Sequence, residues 1–282
     1  MADLAEKLKY KLRRVRELGT PRYFRWLCLQ RFYPNTPLAT QLCDDITIRY
    51  SPRGNVSRDI YIGQFEHDVV SFLKQYVCPG MVVMDLGANV GVYTLLCAKF
   101  VGEKGQVHSF EPTPFTFQQL QNNVHLNRFS WVHLNELAVS ATAGQCSFFV
   151  YEQCGMNSMN KQAWVGKPLR QIMVNTISLD EYVEARNMTR IDLIKMDVEG
   201  AELQVLKGGK NLLSGPNAPV LICEFTDKTT SNFGYQTSVL RENLEAFGYK
   251  LFRWSSTKRQ LINEPLRRDY EIYANLVCVK NS

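Results

Sequence analysis

From residue 81 onward the sequence alternates short, unbroken apolar runs with amphipathic stretches of helical period, and few architectures accept that pattern. Met81–Leu86, Gly105–Glu111, Trp131–Val139, Ile191–Met196 and Pro219–Phe225 read as strands, with helices expected over 92–100, 114–127, 200–213 and 236–247. Strands that are apolar at every position are buried on both faces. The runs therefore predict a mostly parallel sheet with helices on both faces. The runs at 249–254 and 271–279 follow one another without a helix between them, which predicts an antiparallel edge strand. Residues 145–150 and 171–177 add a hairpin around a long polar loop. Upstream, Ile46–Tyr50 and Asp59–Ile62 read as short strands about the Ser51–Gly54 turn, and a helix is expected over 64–76 before the Pro79-Gly80 stop. No repeat or low-complexity linker intervenes. The expected organisation is one α/β domain over 58–282 behind an extension over 1–57.

The formal charge of +6 is not spread over that domain. Residues 1–31 hold nine Lys/Arg against three acids, so the surplus belongs to an N-terminal arm. A basic face for nucleic acid is therefore not expected on the domain itself. Leu4, Leu8, Leu12, Val15 and Leu18 predict a basic helix over 3–18, ended by Pro21, and an aromatic segment from Tyr23 to Tyr33 follows. Such a segment over 1–33 suits packing on the domain or a dimer contact, with a peripheral membrane surface as the alternative. The eight cysteines form no C-x-x-C pair, and no apolar stretch approaches a membrane span or a leader. Reduced thiols and a cytoplasmic location are expected.

Two constellations carry chemistry. Asp85-Leu-Gly-Ala-Asn-Val-Gly91 joins the first core strand to its helix, where glycines allow a sharp turn and close approach of a ligand. Glu111 closes the next strand, where an acid grips ribose hydroxyls in nucleotide-binding α/β sheets. The spacing is G-x-x-x-G rather than G-x-G-x-x-G, and Asp85 at the strand tip would repel a pyrophosphate. A carboxylate suits a cationic ligand bearing a sulfonium and an ammonium, so S-adenosylmethionine is expected rather than a dinucleotide. The second constellation is Lys195-Met-Asp-Val-Glu-Gly-Ala-Glu202 at the end of the fourth parallel strand. Asp197 and Glu199 there orient an acceptor, act as general base, or ligate a metal with Glu224. The bland alternative is helix capping. Glu224 is the only further ligand on that rim, so no metal centre is expected.

Residues 58–254 resemble the FkbM family of methyltransferases. The resemblance runs through Gln64-Phe-Glu-His67, Val83–Thr94, Phe110-Glu-Pro112, Val174–Asp180 and Ile191–Glu202. It implies a Rossmann-like class I methyltransferase fold with a mostly parallel seven-stranded sheet and S-adenosylmethionine as cofactor. It carries Asp85, Gly87, Asn89 and Gly91 over as the cofactor turn and Glu111 as the ribose acid. Glu66 falls at the methionine end, and Asn135 and Ala138 fall where adenine is held. The family association is with O-methylation of a small molecule, natural product or glycan. An N-methyltransferase acting on a peptide or amide is the runner-up, and a non-catalytic cofactor-binding scaffold is a reading of another class. Asn157, Ser158 and Trp164, in the loop over 151–170, are candidate acceptor contacts together with Glu224. His67, beside Glu66, reads more readily as a hydrogen-bonded helix residue than as a base.

Overall fold

The computed structural model describes residues 20–43, 45–151, 154–161, 166–267, 269–270 and 273–280. Helix α1 (Pro21–Phe32) leads into a hairpin of β1 (Leu38–Cys43) and β2 (Ile46–Tyr50), then α2 (Gly54–Ile62) and α3 (His67–Tyr76). The core follows as β3 (Val82–Leu86), α4 (Val92–Val101), β4 (Gln106–Phe110), α5 (Pro114–Leu126) and β5 (Val132–Asn135). A side sheet comprises β6 (Ala138–Val139), β7 (Gly144–Val150) and β8 (Arg170–Ile177). Next come α6 (Leu179–Ala185), β9 (Leu193–Met196), α7 (Glu202–Gly208), α8 (Lys210–Ser214) and β10 (Val220–Phe225). The chain closes with α9 (Asp227–Thr230), α10 (Thr237–Ala246), β11 (Tyr249–Ser255), β12 (Gln260–Asn263) and β13 (Ala274–Lys280).

The main sheet runs β12-β11-β13-β10-β9-β3-β4-β5. Strands β5, β4, β3, β9 and β10 are mutually parallel, and β13 is antiparallel to both β10 and β11. This is the α/β methyltransferase sheet expected from the sequence. Strand β12, antiparallel to β11, adds an eighth member at that edge. From β3 the chain winds outward to β5 and returns to β9 on the other side of β3. The crevice between these two strands at their carboxyl ends is the topological switch point where ligands bind.

Strand alternation sorts the core into two layers. Met84, Leu86, Ile194, Met196, Leu221 and Cys223 pack with Leu206, Leu240 and Leu244 on one face. Val83, Val107, Leu193, Ile222 and Val277 pack with Phe72, Leu73, Tyr93 and Cys97 of α3 and α4 on the other. Moving two residues toward the site along each strand of that second face gives Asp85, Ser109, Lys195, Glu224 and Asn275. One face of the sheet therefore changes from wholly apolar to strongly polar at its tip. The register places Ser109 beside Asp85 and Asp85 beside Lys195, and pairs Glu224 with Asn275 across β10 and β13.

Four sequence expectations need correction. Asp59–Ile62 is the last part of helix α2 rather than a strand. Its Asp-Ile-Tyr-Ile order imitates period two, but Gly54, Ser57 and Ile60 are the buried positions, at helical spacing, and Gly63 closes the helix in left-handed conformation. The helix expected over 200–213 breaks at Gly209, where an added Cβ would lie 2.8 Å from Leu179 Cδ1. The run Trp131–Val139 divides between two sheets, β5 and β6. Strands β1 and β12 have no counterpart among the expected elements. The β1–β2 hairpin belongs to the core: Ile46, Ile48 and Tyr50 are buried with Trp26, Val92, Leu95, Leu120 and Val124. Among the described residues no helix is long and apolar enough to cross a membrane. The basic helix expected over 3–18 lies outside them.

Candidate active site

The turn after β3 is built by steric necessity. Gly87 has φ +80°, and a Cβ on it would lie 1.9 Å from the Asp197 carbonyl oxygen, so only glycine lets β3 and β9 close together there. Gly91, at φ +99°, begins α4, and its Cβ would lie 2.7 Å from Leu120 Cδ1. Asn89 takes left-handed backbone at φ +51°, and its side-chain oxygen accepts from the Val90 amide at 2.8 Å.

Asp85 is buried beneath this turn. It accepts from the Thr94 hydroxyl at 2.6 Å, and Thr94 in turn meets Ser109 at 2.8 Å. Burial pushes its carboxyl up to about 6 against the Thr94 hydrogen bond. Glu111 accepts from the amides of Asn89 at 3.1 Å and Thr113 at 3.0 Å, and so ties the turn to the tip of β4. Burial outweighs those bonds and raises it to about 7.

The second constellation surrounds an ammonium. Lys195 is fully buried, its Nζ lies 3.2 Å from Asp197 Oδ2, and it sits 5.0 Å from the centre of the Tyr93 ring. Burial alone would discharge it. The carboxylates of Asp197, Glu66, Glu224 and Asp85 overcome that and hold it charged. Glu66, at the strained φ of +26°, accepts from the Tyr93 hydroxyl and from Asn275 Nδ2 at 2.9 Å. Burial raises Glu66 from the ordinary carboxylate value. Glu199, at φ +53°, and Glu224 are both raised well above it, burial being the main cause and Asp197 the next. Glu202 faces inward instead and accepts from the amides of Val198 at 3.3 Å and Gly200 at 3.2 Å, fixing the β9–α7 turn.

Two cavities meet here. A narrow chamber of about 100 Å³ is walled by Glu66, Gly87, Asn89, Glu111, Asp197 and Glu199, with apolar sides at Phe110, Ala138 and Phe148. A larger cleft of about 490 Å³ lies beyond it and is lined by Glu224, Asn275, Trp254 and Tyr273, among others. Val56, Phe65, Glu66, Gly155, Asp197 and Glu199 wall both. Among the described residues the chamber wall has four carboxylates and no Lys, Arg or His. That wall repels a pyrophosphate and suits a cationic ligand. The chamber is smaller than the roughly 300–1,000 Å³ of ligand pockets, and Phe148 and Met159 form one side of it.

The sequence-derived candidates divide accordingly. Glu66, Gly87, Asn89, Glu111, Ala138 and Asn157 reach the chamber wall, and Asp197 and Glu199 stand between the two cavities. Asp85 and Gly91 support the turn from below. Asn135 is turned away, bonded to Ser109, His133, Tyr182 and Arg186. Ser158 backs the site by donating to the Glu199 carbonyl at 2.9 Å. Glu224 lines the cleft, as does the exposed His67. Trp164 lies outside the described residues. Sequence reasoning missed three groups. Lys195 was visible as a lone cation inside an apolar strand. Asn275 left no local signal, because only the β10–β13 pairing brings it to Glu224. Asn123 likewise gave no sign that it accepts from the Arg49 amide and donates to the Arg49 and Val90 carbonyls, all at 2.8 Å.

A family model described as the methyltransferase FkbM domain matches residues 85–251. The hexuronic acid methyltransferase AglP of Haloferax volcanii is 32% identical over 152 residues, which cover 54% of this chain and 59% of that protein. The 31-O-demethyl-FK506 methyltransferase FkbM of Streptomyces tacrolimicus is 28% identical over 157 residues, or 46% of this chain and 60% of that one. The matched part thus spans about three fifths of these relatives' length. Among solved structures, methyltransferase FkbM from Methylobacillus flagellatus KT is 14% identical and covers 79% of this chain and 54% of that chain, with a TM-score of 0.45.

Proposed function

The chain belongs to the FkbM methyltransferase family, and on that premise we propose that it transfers a methyl group from S-adenosylmethionine to a hydroxyl oxygen of a small molecule, natural product or glycan. The observation that carries this reading is the wall of Glu66, Asp197 and Glu199 shared by an acid-lined chamber and a separate, roomier cleft. A donor on one side and an acceptor on the other meet at that wall.

When bound, S-adenosylmethionine supplies a methyl group activated on a sulfonium. On this reading Glu111 holds the ribose hydroxyls, Glu66 takes the ammonium of the methionine end, and Ala138 and Phe148 flank the base. The chain's main task is then alignment, and positioning of this kind lowers a barrier by about 7–11 kcal/mol. A hydroxyl also needs its proton accepted, which contributes about 10²–10⁴-fold. Glu199 is the group we assign to that proton, and Asp197, held by Lys195, fixes the acceptor. Glu224 Oε2 and Asn275 Oδ1 are buried in the cleft without hydrogen-bond partners among the described residues. They are neighbours across β10 and β13, so together they form a ledge that accepts hydrogen bonds from the acceptor's hydroxyls. The name of the Streptomyces relative, a methyltransferase of an O-demethylated product, supports an oxygen nucleophile, and that of the Haloferax relative supports a sugar-derived acceptor.

Incubation with methyl-labelled S-adenosylmethionine and a panel of saccharides and hydroxylated natural products tests the reading. Label is expected on oxygen, and at least about tenfold less of it with Glu199→Gln. Label on an amide nitrogen, or Glu199→Gln retaining full turnover, contradicts it.

A further inference from the structure

Helix α1 is apolar on the wrong side for a solvated helix. Its inward residue, Trp26, is buried against Tyr61 of α2, with ring centroids 5.7 Å apart. Arg22 lies over the same Tyr61 ring at 5.6 Å. The opposite side carries Phe24, Leu27, Cys28, Arg31 and Phe32, at i, i+3, i+4, i+7 and i+8, with Arg25 at its border. That spacing is a stripe of helical period facing outward. Phe24 is 58% exposed, Leu27 42% and Phe32 67%, and Tyr33 just beyond the helix is 62% exposed. An outward face of this kind on a soluble domain marks an interaction surface.

The charge of the helix selects among partners. No Asp or Glu occurs between Glu17 and Asp44, whereas Arg22, Arg25 and Arg31 all fall within that stretch. Large apolar side chains mixed with arginine, and no acid to repel phosphate, fit the boundary of an anionic bilayer, where aromatic and leucine side chains sink among the headgroups and arginine meets phosphate. We propose that the outer face of α1 docks the protein on an anionic membrane surface, lying in the interface plane and not crossing it. Because α1 packs on α2, and α2 supplies Asn55, Val56, Arg58 and Asp59 to the larger cleft, docking sets that cleft close to the bilayer. The proposal does not depend on the assigned reaction.

Co-sedimentation of the full chain with phosphatidylcholine vesicles, with and without phosphatidylserine, tests it. Binding is expected only with phosphatidylserine and is expected to weaken at high salt. Phe24→Ser/Leu27→Ser/Phe32→Ser and Arg25→Glu/Arg31→Glu should each lower the partition constant at least about tenfold. Both variants change exposed residues, and unchanged thermal melts would show that the fold is intact. Absence of binding to phosphatidylserine vesicles overturns the proposal, as does equal binding by both variants. So does a dimer, seen by sedimentation, that the serine variant dissolves while no vesicle is bound; that result assigns the face to a second copy of the chain.

Discussion

At the scale of single residues, the site is set by close contacts that tolerate no substitution. Gly87→Ala puts a methyl group into the Asp197 carbonyl and strains a positive φ. It is expected to cost more than about 3 kcal/mol in urea denaturation. Asn123→Ala strips one buried and two part-buried backbone groups of their partners and should cost about 2 kcal/mol. It should also weaken cofactor binding, because Val90 belongs to the turn. The raised Glu199 predicts a pH profile. A base works deprotonated, so kcat/KM should rise with pH through a value above the ordinary carboxylate range, and Glu199→Gln should remove that limb. Legibility at this scale is uneven. Gly87, Glu111, Asp197 and Glu199 lie in short contiguous motifs and can be read directly. Asn275 and Asn123 act across long sequence separations, and nothing local betrays a side chain whose partner arrives through sheet pairing. Asn135 shows the converse, since it sits at the expected strand end but its side chain is spent on its neighbours.

At the scale of elements, the fully buried strands are the easiest to read, because a run apolar at every position has one common explanation. Helix α2 misleads because four residues satisfy both periods, and only the contact with α1 and the cleft makes the helical face the useful one. Strand β12 is exposed along its length, and its adjacent Leu261 and Ile262 do not alternate with polar residues, so it carries no period-two signature. Of the described residues between β7 and β8, Gly155, Asn157 and Met159 wall the chamber. Hydrogen exchange is expected to slow at Tyr151, Asn157 and Ser158 when S-adenosylmethionine is added. Unchanged exchange there, with binding confirmed, would show that the cofactor lies elsewhere.

For the whole molecule, the concentration of carboxylates at one sheet end has a cost. Asp85, Glu111 and Glu202 titrate near 6 to 7 in the fold and near 4 when unfolded. The folded state therefore holds protons that the unfolded state has lost. Stability from these groups is full at low pH and falls as pH rises from about 4 to about 7, by about 1.4 kcal/mol for each tenfold difference in proton affinity between the two states. The melting temperature of the free protein should fall between about pH 4 and about pH 7. A bound cation should restore it most at the higher pH. That strain is what the site offers a sulfonium, and it leads to the most direct test: calorimetric titration with S-adenosylmethionine, on the wild-type chain and on Glu111→Ala. One site with micromolar affinity, weakened at least about tenfold by Glu111→Ala while the fold is retained, is the predicted result. A folded wild-type chain that takes up no S-adenosylmethionine, or a Glu111→Ala variant that binds it equally well, would contradict the account.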